Sequence, residues 1–159
     1  MTNVIMVGAF PPPVHGMALI NAAVLSKFRA AGIQPLVLDV AADDLNRSFF
    51  ARLSRFPKVL RNLFLLSKIN AAGQLCLYMS VSGGMGQLYE FMFVMIARVR
   101  NMRVFLHHHS YSYLNRYSLL THLLACSSGR SANDILLSPR MKFLFRSLYG
   151  ACNVCHVSN

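Results

Sequence analysis

Acidic side chains are scarce in this chain, which carries 5 Asp and Glu residues against 16 Lys and Arg. The acids are too dispersed in the sequence for their positions to indicate a site: Asp39, Asp43, Asp44, Glu90 and Asp134. Neither a paired-carboxylate arrangement nor a Ser/His/Asp set therefore points to a hydrolase. The formal net charge of +11 instead implies an anionic partner, which is a nucleic acid, a membrane surface or a phosphorylated ligand.

The sequence also lacks an apolar run of the roughly 18 residues that a membrane-spanning helix needs. Its longest candidate, Phe91 to Ala97, is bracketed by Glu90 and Arg98. The N-terminus has no basic start, and prolines arrive where the apolar region of a signal peptide would continue. We therefore expect a cytoplasmic chain. With 55% hydrophobic residues, the 159 residues predict one folded domain spanning 1–159.

The four cysteines do not form the pattern of a disulfide framework. Cys76 and Cys126 fall inside apolar stretches, where a thiol behaves as a small buried hydrophobe. Cys152 and Cys155 form a CxxC, but the run CNVCHV reads as a strand, in which residues three apart face opposite sides. No second ligand pair accompanies it, so we expect neither a metal site nor a cofactor.

Short apolar runs alternate with helical periodicity along most of the chain. Strands are predicted at 4–7, 34–40, 74–81, 102–107, 132–137 and 152–157, and helices at 17–31, 88–99, 114–126 and 139–149. This alternation predicts an α/β fold with a doubly wound, mostly parallel, six-stranded Rossmann-like sheet. The helix at 88–99 is so apolar that we expect it to be buried on most sides.

Three unusual loops follow predicted strands: Pro11 to Gly16, Ser82 to Gly86, and His107 to Tyr113. In a parallel sheet these loops share one edge, where ligands bind. The first loop leads into a helix whose free N–H groups suit an anion, and Gly16 lets a ligand approach closely. The same prolines and glycine also suit a purely structural turn. Asp39 stands where dinucleotide folds hold a ribose, but the loop lacks the full G-x-G-x-x-G.

The segment Asp43 to Ile69 interleaves basic and aromatic residues. Phe49 and Phe56 fall roughly on one side of a helix and Arg52, Arg55 and Lys58 mostly on another, while Pro57 should kink or break the run. Such segments are typical of helices lying on anionic lipid. The alternatives are a helix pair packed on the sheet with a solvated basic face, or a nucleic-acid patch, for which no recognised motif is present.

Three consecutive histidines follow the fourth predicted strand. His107 and His109 share a face of a strand, while His108 points away. Neutral imidazoles can hydrogen-bond a sugar hydroxyl or a phosphate oxygen, and Tyr111 and Tyr113 could stack on a ring. Metal ligation and plain structural roles are the alternatives, although no nearby carboxylate or cysteine completes a ligand set.

Four segments together resemble the N-terminal domain of retaining glycosyltransferases of the GT-B type, family 4. They are PPPVHGMALIN, YMSVSGGMG, VFLHHHSYSY, and DILLSPRMKFLFRSLYG followed by VCHVSN. The resemblance implies that His15 and Gly16 lie near the diphosphate of a nucleotide-sugar donor and that His109 lies near the reacting sugar. His107, Tyr111, Ser82 and Gly83 are then candidates for binding a glycan or lipid-linked acceptor.

The family's donor-binding domain has no counterpart in these 159 residues. We therefore expect an acceptor-side domain of a hexosyltransferase that is inactive alone. The chain is then an isolated acceptor domain, a truncated or degenerate reading frame, or one half of a split enzyme whose donor domain is a separate chain. The basic aromatic segment would then dock it peripherally on the inner face of the membrane. A non-catalytic membrane- or anion-binding module on the same scaffold is the alternative, and nucleic acid is the less favoured partner.

Overall fold

A computed structural model of the protein describes residues 2–41, 55–70, 72–129, 132–150 and 154–156, in which strands and helices alternate. The strands are β1 (Thr2–Gly8), β2 (Leu36–Asp39), β3 (Gln74–Val81), β4 (Arg103–His108), β5 (Asn133–Leu136) and β6 (Val154–His156). The helices are α1 (Gly16–Ala30), α2 (Arg55–Lys68), α3 (Gly86–Val99), α4 (Ser112–Asn115), α5 (Leu119–Ser128) and α6 (Pro139–Tyr149).

The strands form one parallel sheet in the order β2-β1-β3-β4-β5-β6. Strands β1 to β5 have four residues or more, and the three-residue β6 pairs with the outer side of β5. The predicted α/β class and parallel sheet are therefore confirmed. Strand β2 lies on one side of β1, whereas β3 and the strands after it lie on the other side. The direction in which successive strands are added to the sheet therefore reverses between β1 and β3. A crevice at such a reversal is where α/β sheets bind ligands.

Helices cover the sheet unequally because the strand residues alternate between its faces. Met6 and Tyr78 lie on one face, where α1 packs on them through residues such as Phe28. Ile5 and Leu77 belong to the larger core on the other face. On that second face α3 packs against both α2 and α5. Among the described helices, α1 alone contributes to the core cluster on the first face.

Capping residues explain where several helices begin and end. Gly32 follows the last residues of α1 with a φ of 77°, a left-handed conformation that favours glycine. Ser138 accepts a hydrogen bond from the Met141 N–H before α6, and Pro139 occupies its first turn, as predicted. Pro57 lies in the first turn of α2, where a missing N–H is tolerated, and the preceding part of the run that it was expected to kink or break lies outside the described residues.

Two predictions from the sequence are wrong. The helix expected at 114–126 is two helices, α4 and α5, because Ser118 is extended and caps α5 by accepting from the Thr121 N–H. Cys126, expected to be buried, is exposed. Helix α3 is covered on most sides, as predicted, because the sheet, α2 and α5 pack against it, but it exposes one row of apolar side chains that includes Leu88 and Val99. Within the described ranges, every helix is too short or too polar to cross a bilayer.

Candidate functional site

The loop after β1 is tied to β3 through Asn21, a buried residue of α1. The Asn21 amide nitrogen donates to the carbonyl of Ala9 at 2.9 Å and to the Ser80 hydroxyl at 3.0 Å. Gly8 leaves the room for this contact, because a Cβ there would lie 2.6 Å from both Asn21 Nδ2 and Ser80 Oγ. Asn21 Oδ1 is buried and has no hydrogen-bond partner among the described residues. One acceptor is thus left free at the crevice between β1 and β3.

The loops after β3, β4 and β5 also meet at this edge. A Cβ on Gly83 would lie 2.6 Å from Ser112 Oγ, so only glycine allows the two loops to approach this closely. The Tyr111 hydroxyl hydrogen-bonds Ser138 Oγ, the capping residue of α6, at 2.9 Å. Ser82 follows β3, and its N–H donates to Glu90. The structure therefore brings Ser82, Gly83 and Tyr111 to one edge of the sheet.

His15 and Gly16 lie at the start of α1. His15 is the N-cap residue, and its Nδ1 accepts from the Ala18 N–H at 3.4 Å. A Cβ on Gly16 would meet no described atom within 4 Å, so the space beside this residue is open. The first turn carries no acidic residue. Among the described residues, then, no contact requires a glycine at position 16.

The three histidines divide between the faces of the sheet as predicted. His107 and His109 lie together, with ring centroids 4.1 Å apart, on the face that α1 covers. His108 lies on the opposite face, where it contacts Phe145 of the larger core. Its Nδ1 hydrogen-bonds the Tyr113 hydroxyl and its Nε2 hydrogen-bonds Asp134 Oδ1, both at 3.0 Å. Both nitrogens of His108 are therefore used inside the fold, which makes this residue structural.

His107 and His109 offer hydrogen-bonding atoms that the fold leaves unused. The Tyr78 hydroxyl hydrogen-bonds His107 Nδ1, whereas His107 Nε2 and both ring nitrogens of His109 are buried without a partner in the described part of the chain. Burial, with a smaller contribution from neighbouring histidines, lowers the pKa of each ring to about 4. Both rings are therefore neutral at pH 7, and each carries one N–H donor and one acceptor nitrogen.

The proton on His107 can be assigned from its neighbour. Burial raises the pKa of Tyr78, so its hydroxyl stays protonated. His107 Nδ1 is the partner found for that hydroxyl among the described residues, and the O–H therefore donates to Nδ1. The imidazole proton then lies on Nε2, so this buried nitrogen is a hydrogen-bond donor that has no partner among the described residues.

Glu90 is a site residue that the sequence did not reveal. It projects from α3, and its Oε1 accepts from the Ser82 N–H at 2.8 Å, while Oε2 is buried without a partner in the described residues. Burial raises the pKa of Glu90 to about 7, against the lowering effects of the Ser82 hydrogen bonds and of Arg55. A cavity of about 30 Å³, lined by Gly8, Ser80 and Glu90 among others, lies beside it. The signal in the sequence was a single acid in an otherwise apolar helix behind a glycine-rich loop.

Asp39 has an internal role. Its Oδ1 accepts from the N–H groups of Phe10 and Ala41, and its Oδ2 is 2.8 Å from Lys58 Nζ. Arg55 donates to the carbonyl of Val40 through Nη2 at 2.8 Å. These bonds join the end of β2 to the β1 loop and to α2. They favour a structural role for Asp39 over a ribose contact. Arg55 and Lys58, which were predicted to dock on a membrane, are therefore bonded within the protein.

Of the other residues predicted to dock on a membrane, only Phe56 lies in the described part of the chain. Phe56 is 43% exposed at the start of α2. Phe49 and Arg52 lie outside the described residues, as does Cys152 of the CxxC motif. Among the residues that the structure describes, no group of three or more His, Cys, Asp or Glu side chains could hold a metal ion.

No protein-family model matches the chain, and no curated protein matches its sequence. The resemblance to family 4 glycosyltransferases therefore remains a hypothesis. What supports a function is the geometry at the carboxyl edge of the sheet, where neutral imidazoles, an amide oxygen and a buried carboxyl group provide unused hydrogen-bonding atoms. Such a set of hydrogen-bond donors and acceptors suits a ligand rich in hydroxyl groups.

Proposed function

We propose that the chain is the acceptor-side domain of a GT-B type glycosyltransferase, which transfers a sugar from a nucleotide-sugar donor to a glycan or lipid-linked acceptor in the cytoplasm. One observation carries the proposal. Three buried ring nitrogens of His107 and His109 have no partner in the described residues, beside loops that converge on one edge of a parallel sheet. An unpaired buried polar group costs about 1–3 kcal/mol, so a ligand that pairs with these atoms gains that energy.

The chemistry of the edge favours sugar hydroxyls over a bare anion. Both imidazoles are neutral at pH 7. A phosphate would therefore find no protonated histidine in this pair. A hydroxyl can donate to one nitrogen and accept from another. The sheet, with α1 on one face and other helices opposite, is compatible with the doubly wound Rossmann-like fold of such a domain.

The donor diphosphate belongs, in this proposal, at the start of α1. The space above Gly16 is open and the first turn lacks an acid, so a phosphate could approach the free N–H groups there. His15 already accepts from the Ala18 N–H through Nδ1, which leaves Nε2 to face the diphosphate. We propose that a separate donor domain holds the rest of the nucleotide sugar.

Binding of neutral methyl glycosides and of UDP-glucose to the purified chain, measured by calorimetry and by saturation-transfer NMR, tests this function. We expect glycosides to bind the chain and UDP-glucose to bind only weakly, because in this proposal a donor domain holds most of the nucleotide sugar. We also expect no sugar transfer by the chain alone. A His109→Gln variant should bind glycosides less tightly, by a factor of about ten, because one hydrogen bond to a buried group is worth roughly 1.5 kcal/mol.

His122 provides the matched control, because this histidine of α5 lies on the other side of the sheet and contacts Tyr117 and Cys126. His122→Gln should leave glycoside binding unchanged. Tight UDP-glucose binding without glycoside binding would indicate a nucleotide-binding protein of another kind. Turnover of UDP-glucose by the isolated chain would contradict the need for a second domain.

A further inference from the structure

The outward side of α3 is apolar along its whole length. Leu88, Met92, Met95 and Val99 are all exposed, and Val99 reaches 80%. They follow one another at intervals of three and four residues, so they lie on one face of the helix. A helix at the surface of a globular protein normally carries polar residues on the side that faces water. This row therefore indicates a surface that is covered in the working protein.

Two arginines fix the direction in which this row points. Arg98 donates to the carbonyl of Ser128 at the end of α5, and Arg100 donates to carbonyls at the end of α2, including Leu66. The two sides of α3 are thereby turned toward its two neighbours. Its inner side, with Phe93 and Ala97, packs on the sheet. The row thus points away from the sheet, at the middle of the helical layer.

The neighbouring helices extend the apolar surface on both sides. Helix α2 exposes Phe56, Leu60 and Phe64, the last at 62%, and these are spaced four residues apart. Helix α5 exposes Leu119 and Leu123, also four apart. We call this combined surface the α2–α3–α5 face. An apolar surface drawn from three adjacent helices is larger than the scattered single residues that any soluble protein exposes.

Two exposed cations lie on the α2 part of this face, and none of the described acids is exposed beside them. Arg61 and Lys68 are exposed on α2, and the Lys68 ammonium lies 5.7 Å from the centre of the Phe64 ring. Of the acids that the structure describes, Glu90 and Asp134 have buried carboxyl groups and Asp39 is paired with Lys58. In the described part of the chain, therefore, no free carboxylate is available at the surface to oppose these cations.

We propose that the α2–α3–α5 face docks on an anionic lipid bilayer, with α3 lying in the plane of the interface. Its leucines and methionines would enter the boundary of the acyl chains, while Arg61 and Lys68 would lie at the phosphate groups. The charge of the chain selects this partner, because a second copy would bring like charges together. The surface differs from the one predicted from sequence, since Arg55 and Lys58 are bonded inside the fold and Phe56 alone is common to both.

Flotation of the full chain with phosphatidylcholine vesicles, with and without phosphatidylglycerol, tests the proposal. We expect binding only to the vesicles that contain phosphatidylglycerol. A Met92→Gln/Met95→Gln variant should lower the partition coefficient by about tenfold or more, because burying one such side chain is worth roughly a factor of ten. The control is Leu19→Gln/Leu36→Gln, which removes two comparably exposed apolar residues from α1 and β2.

The contribution of charge to vesicle binding is tested by two double variants that each remove two positive charges. Arg61→Gln/Lys68→Gln should weaken binding to anionic vesicles, whereas Lys27→Gln/Arg29→Gln on α1 removes the same charge and should weaken it less. Thermal unfolding followed by circular dichroism verifies that each variant is folded. Equal loss in the α3 variant and its control, or unchanged binding of a folded α3 variant, overturns the proposal. A second result would also overturn it. This is a dimer, detected by sedimentation, that the α3 variant abolishes and that lipid does not affect.

Discussion

Replacing Glu90 by glutamine gives the sharpest physical prediction about the crevice. Burial raises the pKa of this carboxyl from 4.5 to about 7 in the folded protein. Between these two values the folded state holds a proton that the unfolded state releases. The contribution of Glu90 to stability is therefore complete below pH 4.5 and is lost as the pH rises through 7.

The size of this loss follows from the two pKa values. Each pH unit between them corresponds to about 1.4 kcal/mol, so this carboxyl alone should lower the free energy of unfolding by about 3 kcal/mol between pH 4.5 and 7. Glutamine has the same shape, cannot ionise, and still offers an oxygen to the Ser82 N–H. Glu90→Gln should therefore be similar to the original protein near pH 5 and more stable by about 2–3 kcal/mol at pH 8.

Urea unfolding of both proteins at several pH values between 5 and 8, followed by circular dichroism, measures this difference. Comparing the two proteins at each pH cancels the titration of other groups, including the histidines. A stability difference that stays constant over this range would refute the reasoning, because it would show that the carboxyl is not held in its neutral form by burial.

Three further predictions concern packing and titration. Gly8→Ala should destabilise the protein by about 1–3 kcal/mol, because the added Cβ would lie 2.6 Å from Asn21 Nδ2; thermal and urea unfolding measure this, with Gly16→Ala as a near-neutral control. Asp134→Ala should cost about 1–3 kcal/mol by leaving His108 Nε2 unpaired, and Asp134→Asn should cost less. His109→Gln should reduce the loss of stability on acidification from pH 6.5 to 4, because the lowered pKa of His109 opposes protonation in the folded state.

Each of these has a result that would contradict it. An alanine at position 8 that is tolerated as well as one at position 16 would mean that the crevice is looser than described. Equal stability of the two variants at position 134 would show that the hydrogen bond to His108 contributes little. An unchanged acid transition in the His109 variant would indicate that the ring is already solvated.

Much of the fold could be predicted from local patterns. The limits of β3 and α6 were predicted to the residue, because uninterrupted apolar runs and a Ser-Pro cap define them locally. The opposite orientations of His107 and His108 follow from strand geometry alone. The break between α4 and α5 was missed, since the extended conformation of Ser118 is stabilised by a distant hydrogen bond from its N–H to the Tyr149 hydroxyl.

Features that depend on packing could not be read from the sequence. Glu90 looked like an isolated acid, because its partner Ser82 approaches it only when α3 folds back onto the end of β3. The exposed row on α3 could not be foreseen, since an apolar helix gives no sign of which side its neighbours leave uncovered. Arg55 and Lys58 appeared free until the end of β2 was placed beside them.

The central claim is that His107 and His109 provide neutral hydrogen-bonding atoms for the hydroxyls of a sugar. Nitrogen-15 spectra of the imidazole rings, recorded at pH 7 while a neutral methyl glycoside is added, test it most directly. We expect the signals of His107 and His109 to be those of neutral rings and to shift on saturation, while those of His108 stay in place. Protonated rings at pH 7, or shifts confined to His108, would contradict it.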